Sequence, residues 1–202
     1  MARTIALFAT QEFFMRHVIS ALVINEPGVL AGVAGMFSAR GFNIDSLVVG
    51  RTEDPNLSRM TIVVNADDVT LDQVRKQLAK LVATVHVRDF AGSAYIERDL
   101  ALVTVNCNAE KRREVVEIIE LFRGKVVDVA SNSITVELAG TEDKLEAFID
   151  LMKPYGIESL ARTGVIAMPR GTQLAKEKHA DIGPQKRIRS LEGAAGVALP
   201  PS

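Results

Sequence analysis

Two stretches of this chain, residues 17–90 and 100–167, pass through the same succession of hydrophobic periodicities, and this repetition limits the fold more than any single motif. In the first, residues 17–24 are almost continuously apolar, the pattern of a strand buried on both faces. Val29, Leu30, Val33, Ala34 and Phe37 then recur at helical spacing. Pro27 stands where a helix tolerates proline best, at its first position, and Gly41 supplies a stop. Strands over 43–51 and 57–64 flank the polar turn Glu53-Asp54-Pro55-Asn56. A second helix is predicted from Thr70, whose hydroxyl forms a capping-box pair with Gln73 and which turns Val74, Leu78 and Leu81 inward. A strand over 84–90 closes a βαββαβ unit.

The order then begins again. A strand over 100–106 leads to a helix capped by Asn108, with Val115, Ile118, Ile119 and Phe122 on its apolar side and Gly124 at its end. Strands over 126–129 and 134–138 flank Ser131-Asn132-Ser133. Thr141 caps a fourth helix with Leu145, Phe148 and Met152 inward, and residues 157–167 give a last strand interrupted at Gly164. The elements repeat while the residues do not. The predicted class is α+β: two tandem ferredoxin-like βαββαβ modules, each an antiparallel sheet with helices on one face. Residues 1–15 form an N-terminal extension, 16–91 the first module, 92–99 a linker, 100–170 the second module and 171–202 a polar, Gly- and Pro-containing tail predicted to be disordered.

Several functions fit the composition poorly. A net charge of -1 exerts no general pull toward nucleic acid or anionic membrane, and no run reaches the roughly 18 apolar residues of a membrane helix. The first residues are read as an ordinary soluble start, since no small-residue cleavage site follows the short apolar patch. One cysteine, Cys107, excludes an intrachain disulfide and suits a reducing compartment; it is read as a half-buried thiol. His17, His86 and His179 share no metal-ligand spacing, and His86 is placed on the solvent face of its strand. Asp67-Asp68 reads as a helix-terminus pair rather than a catalytic dyad. No nucleophile, base and orienting group occur together, so no catalytic residue is assigned. Gly28, Gly32 and Gly35 match neither phosphate-binding glycine pattern; Gly32 and Gly35 are read as close-packing sites against the sheet. RNA-recognition modules share the βαββαβ order but stack bases on aromatics of the first and third strands, where this chain carries none.

The turn Asn25-Glu26-Pro27-Gly28-Val29-Leu30 remains. Amides of Gly28, Val29 and Leu30 at a helix N-terminus attract a carboxylate, the dipole contributing roughly 0.3–1 kcal/mol and up to ~2 when partly buried. Asn25 offers donors and an acceptor suited to a zwitterion, and Gly28 allows close approach. The same residues also make an ordinary turn followed by a helix start, and residue chemistry leaves both readings open.

Residues 17–90 resemble an ACT domain, the amino-acid-sensing module. More narrowly, the chain resembles the regulatory small subunits of acetolactate synthase (acetohydroxyacid synthase). The resemblance rests on Asn25-x-x-Gly28-Val29-Leu30, the run Arg40-Gly41-Phe42-Asn43-Ile44-Asp45-Ser46-Leu47, and Leu57-Ser58-Arg59-Met60-Thr61. In the second module it rests on Glu97-Arg98-Asp99-Leu100, the run from Phe122 through Gly124 to Val129, and Ala161-Arg162-Thr163-Gly164. It implies a homodimer through paired ACT domains, with valine at the seam between Asn25 and Gly28 of one copy and Asn43 and Ile44 of the other, and weaker binding of leucine or isoleucine. It implies a chain without an active site or cofactor of its own. The catalytic large subunit is the expected partner and the holder of thiamine diphosphate, Mg²⁺ and FAD; no nucleic acid or membrane partner is expected. Activation of that partner and feedback inhibition in branched-chain amino-acid biosynthesis follow, in the cytoplasm of a bacterium or in a eukaryotic plastid or mitochondrion. The alternative is a free-standing ACT-domain sensor acting on another target.

Overall fold

β1 (Met15–Ile24) lies at the centre of an antiparallel sheet of order β2-β3-β1-β4, with β2 (Ser46–Arg51), β3 (Leu57–Ala66) and β4 (Thr84–Asp89) around it. With β3 on one side and β4 on the other, both rows of its backbone groups are paired, and its apolar residues are buried together with His17 and Ser20. α1 (Val29–Ser38) and α2 (Asp68–Lys80) supply the crossovers. Cross-strand pairs such as Ile19 with Ile62 and Ala21 with Met60 share the helix-side face, where they are buried with Val33 and Phe37 of α1 and Val74 and Leu78 of α2. The computed structural model describes residues 15–171; the expectations for the N-terminal extension and the tail fall on 1–14 and 172–202, outside the described residues. The chain divides into two compact units between Asp89 and Phe90.

Four local readings of the first unit change. Pro27 does not open α1: the helix starts at Val29, and Gly28 is its N-cap, held at φ 86°, a left-handed conformation that glycine adopts without a steric cost. The buried stripe of α1 is Val33, Met36 and Phe37; Leu30 and Ala34 lie off it and are exposed. Gly32 and Gly35 do not serve packing on the sheet, since a Cβ at either would meet nothing within 4 Å. α2 is capped by Asp67, whose carboxylate accepts the Thr70 amide at 3.0 Å, so Thr70 lies one turn inside the helix. Hydrogen bonding from the Thr70 hydroxyl, and then from its amide, holds the Asp67 carboxyl below its ordinary pKa.

The second unit repeats the order with β5 (Tyr95–Asn106), α3 (Arg112–Leu121), β6 (Lys125–Val129), β7 (Ser133–Gly140), α4 (Glu142–Met152), β8 (Ile157–Arg162) and β9 (Ile166–Pro169). Its sheet runs β6-β7-β5-β8, and β9 pairs with the first residues of β5, Tyr95 opposite Pro169 and Arg98 opposite Ile166. The stretch read as a linker over 92–99 is therefore strand from Tyr95 onward. The predicted last strand is two, divided where Gly164 turns at φ 84°. α3 begins at Arg112 rather than beside Asn108. Arg123 holds the left-handed position at its end (φ 55°), while Gly124 is closely enclosed: a Cβ there would lie 3.1 Å from Ile119 Cγ2 and 3.2 Å from Val136 Cγ1. Cys107 is fully buried in this core instead of half-buried.

One buried charge cluster ties the second unit together. Asp99, 2% exposed, accepts from Arg162 Nε at 2.9 Å and Nη2 at 2.6 Å and from the Thr163 hydroxyl at 3.2 Å. Thr163 Oγ1 in turn accepts the Leu100 amide at 3.1 Å, and Arg162 also pairs with Glu146. Burial works against the Arg162 charge, and the carboxylates of Asp99 and Glu146 more than offset it, so its pKa is raised. The two sequence matches at 97–100 and 161–164 are thus one structural clamp.

Candidate functional site

α1 reaches its N-terminus without a side-chain cap and without an acidic residue in its first turn. The Val29 amide makes a long turn bond of 3.4 Å to the Glu26 carbonyl, and Gly32 N–H reaches Gly28 O at 2.8 Å. Among the described residues the amides of Gly28, Leu30 and Ala31 have no acceptor. A helix start normally satisfies such donors by a cap, by water or by a ligand. This one keeps its positive dipole end open.

Asn25 anchors the turn more than it advertises a ligand. Its side-chain amide donates to Pro55 O at 3.0 Å, its carbonyl oxygen accepts from Ser58 Oγ at 3.1 Å, and its backbone N–H donates to Asn56 O at 2.7 Å. One amide hydrogen and one lone pair remain for anything else. Glu26 and Pro27 are exposed, and Leu30 is 46% exposed, its apolar side chain standing in solvent beside the open amides.

Asn43 and Ile44 are not brought to this turn within one chain. They follow the C-terminus of α1, whose ten residues at about 1.5 Å each put roughly 15 Å between its ends. Asn43 Nδ2 donates to Asp45 Oδ1 at 2.9 Å, Asn65 holds the other Asp45 oxygen at 2.7 Å, and Ile44 is partly buried on the unit's own core. A site using both groups needs a second copy.

What the turn does adjoin is a cleft of about 360 Å³ between residues 27–29, Gly32 and Val33 on one side and residues 81–84 on the other. Local sequence gave no signal for the second wall, which the ladder carries there: Ile24 N–H bonds Ala83 O at 2.9 Å, and Thr84 stands opposite Val23. Thr84 is 5% exposed, and its hydroxyl is buried without a hydrogen-bond partner among the described residues. An unsatisfied buried hydroxyl costs about 1–3 kcal/mol.

His17 and His86 lie on different strands of the first unit, and His179 falls outside the described residues. His17 is buried with Nε2 3.1 Å from Ala66 O, and His86, opposite Leu22, lies on the sheet face away from the helices, where it is half-buried. No group of three or more His, Cys, Asp or Glu among the described residues could hold a metal ion, and no helix among them is long and apolar enough to cross a membrane.

Comparison with known proteins decides the family. Residues 19–86 match the AHAS small subunit-like ACT domain, and residues 98–171 match the model described as the small subunit of acetolactate synthase. A probable acetolactate synthase small subunit of Archaeoglobus fulgidus is 54% identical over 159 residues, covering 79% of this chain and 99% of that protein. The chain belongs to the acetolactate synthase small-subunit family. The acetolactate synthase small subunit of Mycolicibacterium smegmatis is 46% identical over 155 residues, 77% of this chain and 91% of that one. The crystal structure of the acetolactate synthase small subunit from Thermotoga maritima superposes with a TM-score of 0.71 at 42% identity, covering 77% of this chain and 98% of that chain. A small subunit implies a catalytic large one, so the role of this chain is regulatory. In this small subunit the two family models meet the two structural units separately, and the uncapped α1 lies in the ACT unit.

Proposed function

We propose that this small subunit senses valine at the start of α1 and transmits its binding to the acetolactate synthase large subunit, activating it in the absence of valine and restraining it in its presence. The uncapped α1 N-terminus carries this reading: three amides without acceptors, a dipole and a glycine N-cap form a receiver for an amino-acid carboxylate. Asn43 and Ile44 of a second copy complete the site. Two features support that pairing. α1 contains no charged residue, yet Leu30, Ala31, Ala34 and Gly35 lie exposed, whereas a helix apolar all round is ordinarily covered. β2 is also an edge strand, a template for pairing with another chain. An isologous antiparallel pairing of α1 with its copy brings the N-terminus of one beside the C-terminal end of the other, where Asn43 follows.

Valine regulates only if it binds the restraining arrangement of the complex better than the activating one. Leucine and isoleucine bind more weakly, since one methylene discriminates by ~1–3 kcal/mol. Thiamine diphosphate, Mg²⁺ and FAD belong to the large subunit in this reading, and the chain's own residues contribute binding and pairing only.

Titration calorimetry of valine into the purified chain tests the site. Wild type is expected to release or absorb heat saturably, and Gly28→Asp, which sets a carboxylate beside the ligand's own, to bind at least tenfold more weakly. No heat with wild type, or equal affinity in the variant, removes the site. Co-purification with a large thiamine-dependent enzyme separates the regulatory subunit from a free-standing sensor.

A further inference from the structure

The first residues of β5 run past the rest of their sheet. Pairing of β5 with β7 ends where Asp99 stands opposite Gly140, so among the described residues 95–98 are paired with β9 alone. They form a two-stranded ribbon in unbroken register, Ile96 opposite Met168 and Arg98 opposite Ile166. Alternate strand residues point to opposite faces and directly opposed ones share a face, so these four lie together, and Arg170 follows with the same alternation. Exposure bears this out. Ile96 is 44%, Ile166 53% and Met168 54% exposed and both arginines are exposed, whereas Glu97 is half-buried and Ala167 buried. A two-stranded ribbon by itself is marginal in water. This one is fixed at its base by the clamp of Asp99, Arg162 and Thr163. The clamp thus holds in place an apolar face with one cation at each end.

The charges on this face select its occupant. Arg98 donates to the Glu97 carbonyl at 2.6 Å, and among the described residues neither it nor Arg170 is paired with a carboxylate. Stacked on a second copy about a twofold axis, the face sets Arg98 against Arg98 or against Arg170, like charges in both cases. Residues 172–202 of the same chain, with five Lys and Arg against three Asp and Glu, match it no better. We propose that the ribbon face docks on the acetolactate synthase large subunit, taking up an apolar strip flanked by carboxylates. A regulatory small subunit has to contact its large one, and Met and Arg are the residues enriched at protein interfaces while Lys and Glu are depleted. A standard interface covers roughly 800 Å² per partner, so five side chains form one anchor within a larger contact. This docking surface does not depend on the valine site.

Biolayer interferometry of the full chain against the purified large subunit, comparing wild type with Met168→Thr, Arg98→Glu and Leu151→Gln, tests it. Truncating the central apolar anchor in Met168→Thr is expected to weaken binding about 10- to 100-fold. Arg98→Glu, at an exposed position, weakens it about tenfold, mostly through slower association, and the loss shrinks as salt is raised. Leu151 is as exposed, at 47%, but lies on α4, and Leu151→Gln stays within about twofold of wild type. Thermal melts of the free chains are expected to coincide, since all three positions are exposed. Wild-type affinity in either ribbon variant overturns the proposal, as does equal weakening by Leu151→Gln or no binding by wild type. Weaker binding together with a lower melting temperature gives the ribbon to the fold and overturns it too. Sedimentation of the chain alone and flotation with anionic phospholipid vesicles complete the test. A dimer dissociated by Arg98→Glu assigns the face to a second copy, and vesicle binding abolished by it assigns the face to a membrane; both outcomes overturn the docking surface. Valine calorimetry is expected to be the same in every variant, so failure of the valine site and failure of this surface are read separately.

Discussion

The two units run the same course from a central strand into a first helix, yet they finish that turn in opposite ways. In the first, Gly28 caps α1 with no side chain and leaves amides open. In the second, Asn108 Oδ1 accepts the Lys111 amide at 3.0 Å, Arg112 N–H bonds Asn108 O at 3.0 Å, and the Arg112 guanidinium closes on the carbonyls of Ala130 and Ser131 at 2.8 and 2.5 Å. Lys111 lies over the Tyr155 ring, 5.9 Å from its centroid. α3, with its N-cap at Lys111, has no side-chain cap bond either, so the contrast lies in the turn ahead of the helix, which Asn108 and Arg112 tie down in the second unit and which stays open at Gly28 in the first. One topology thus supplies a receiver and a scaffold, and the difference lies in about six residues on each turn rather than in the fold.

The contrast predicts that damage to the second unit costs stability but not ligand affinity. Asp99→Ala gives the largest effect. It strands Arg162 and Thr163 around a removed carboxylate, and breaking a buried pair costs about 3–5 kcal/mol; the partial exposure of Arg162 places this one near the lower end. Urea unfolding followed by circular dichroism is expected to lose about 3 kcal/mol, with valine calorimetry unchanged under native conditions. A variant that unfolds as wild type shows the clamp to be idle, and one that keeps its stability but loses valine moves the binding function into the second unit.

Next in size is Gly35→Arg, on the face of α1 that the second unit has no counterpart for. Within one chain an added side chain meets nothing within 4 Å, and replacing a helix glycine gains up to about 1 kcal/mol in propensity. At a paired helix face the same side chain collides with its copy. Sedimentation velocity is expected to show dimerisation weakened about a hundredfold while the monomer melts at or above the wild-type temperature. A variant that dimerises normally excludes this face of α1 from the interface.

How the sequence served these two regions differs for a physical reason. The element order, the cores around Phe37 and Phe148 and the open turn at Gly28 were all legible, because periodicity and turn chemistry act over a few residues. Local capping was legible only to within one turn: Asp67 takes the Thr70 amide that the capping box would have assigned to the Gln73 side chain, since a carboxylate three residues earlier is the better acceptor. Asn108 bonds the Lys111 amide in the turn ahead of α3, whose own N-cap is Lys111 without a side-chain bond, so the residue read as a helix cap closes that turn instead. The glycines of α1 were misread because spacing says that a side chain is missing, not which neighbour benefits. Pairing of Tyr95 with Pro169, the Asp99–Arg162 clamp and the second wall of the cleft join residues about 50 to 75 positions apart, and no local pattern encodes them.

The smallest effect is the sharpest test of the opening contrast. Asn108→Ala removes the side-chain acceptor of the second turn, and losing such a cap costs about 1 kcal/mol. The Lys111 amide then depends on water, and the Arg112 bridge to Ala130 and Ser131 limits how far the turn opens. The expected result is a denaturant midpoint lowered by that amount with unchanged slope, and valine affinity equal to wild type. If the variant instead gains a second binding event in calorimetry, the closed cap was all that separated the scaffold turn from a receiver, and the two units differ by a single side chain. If it loses valine affinity, the two turns are coupled and the division into receiver and scaffold fails.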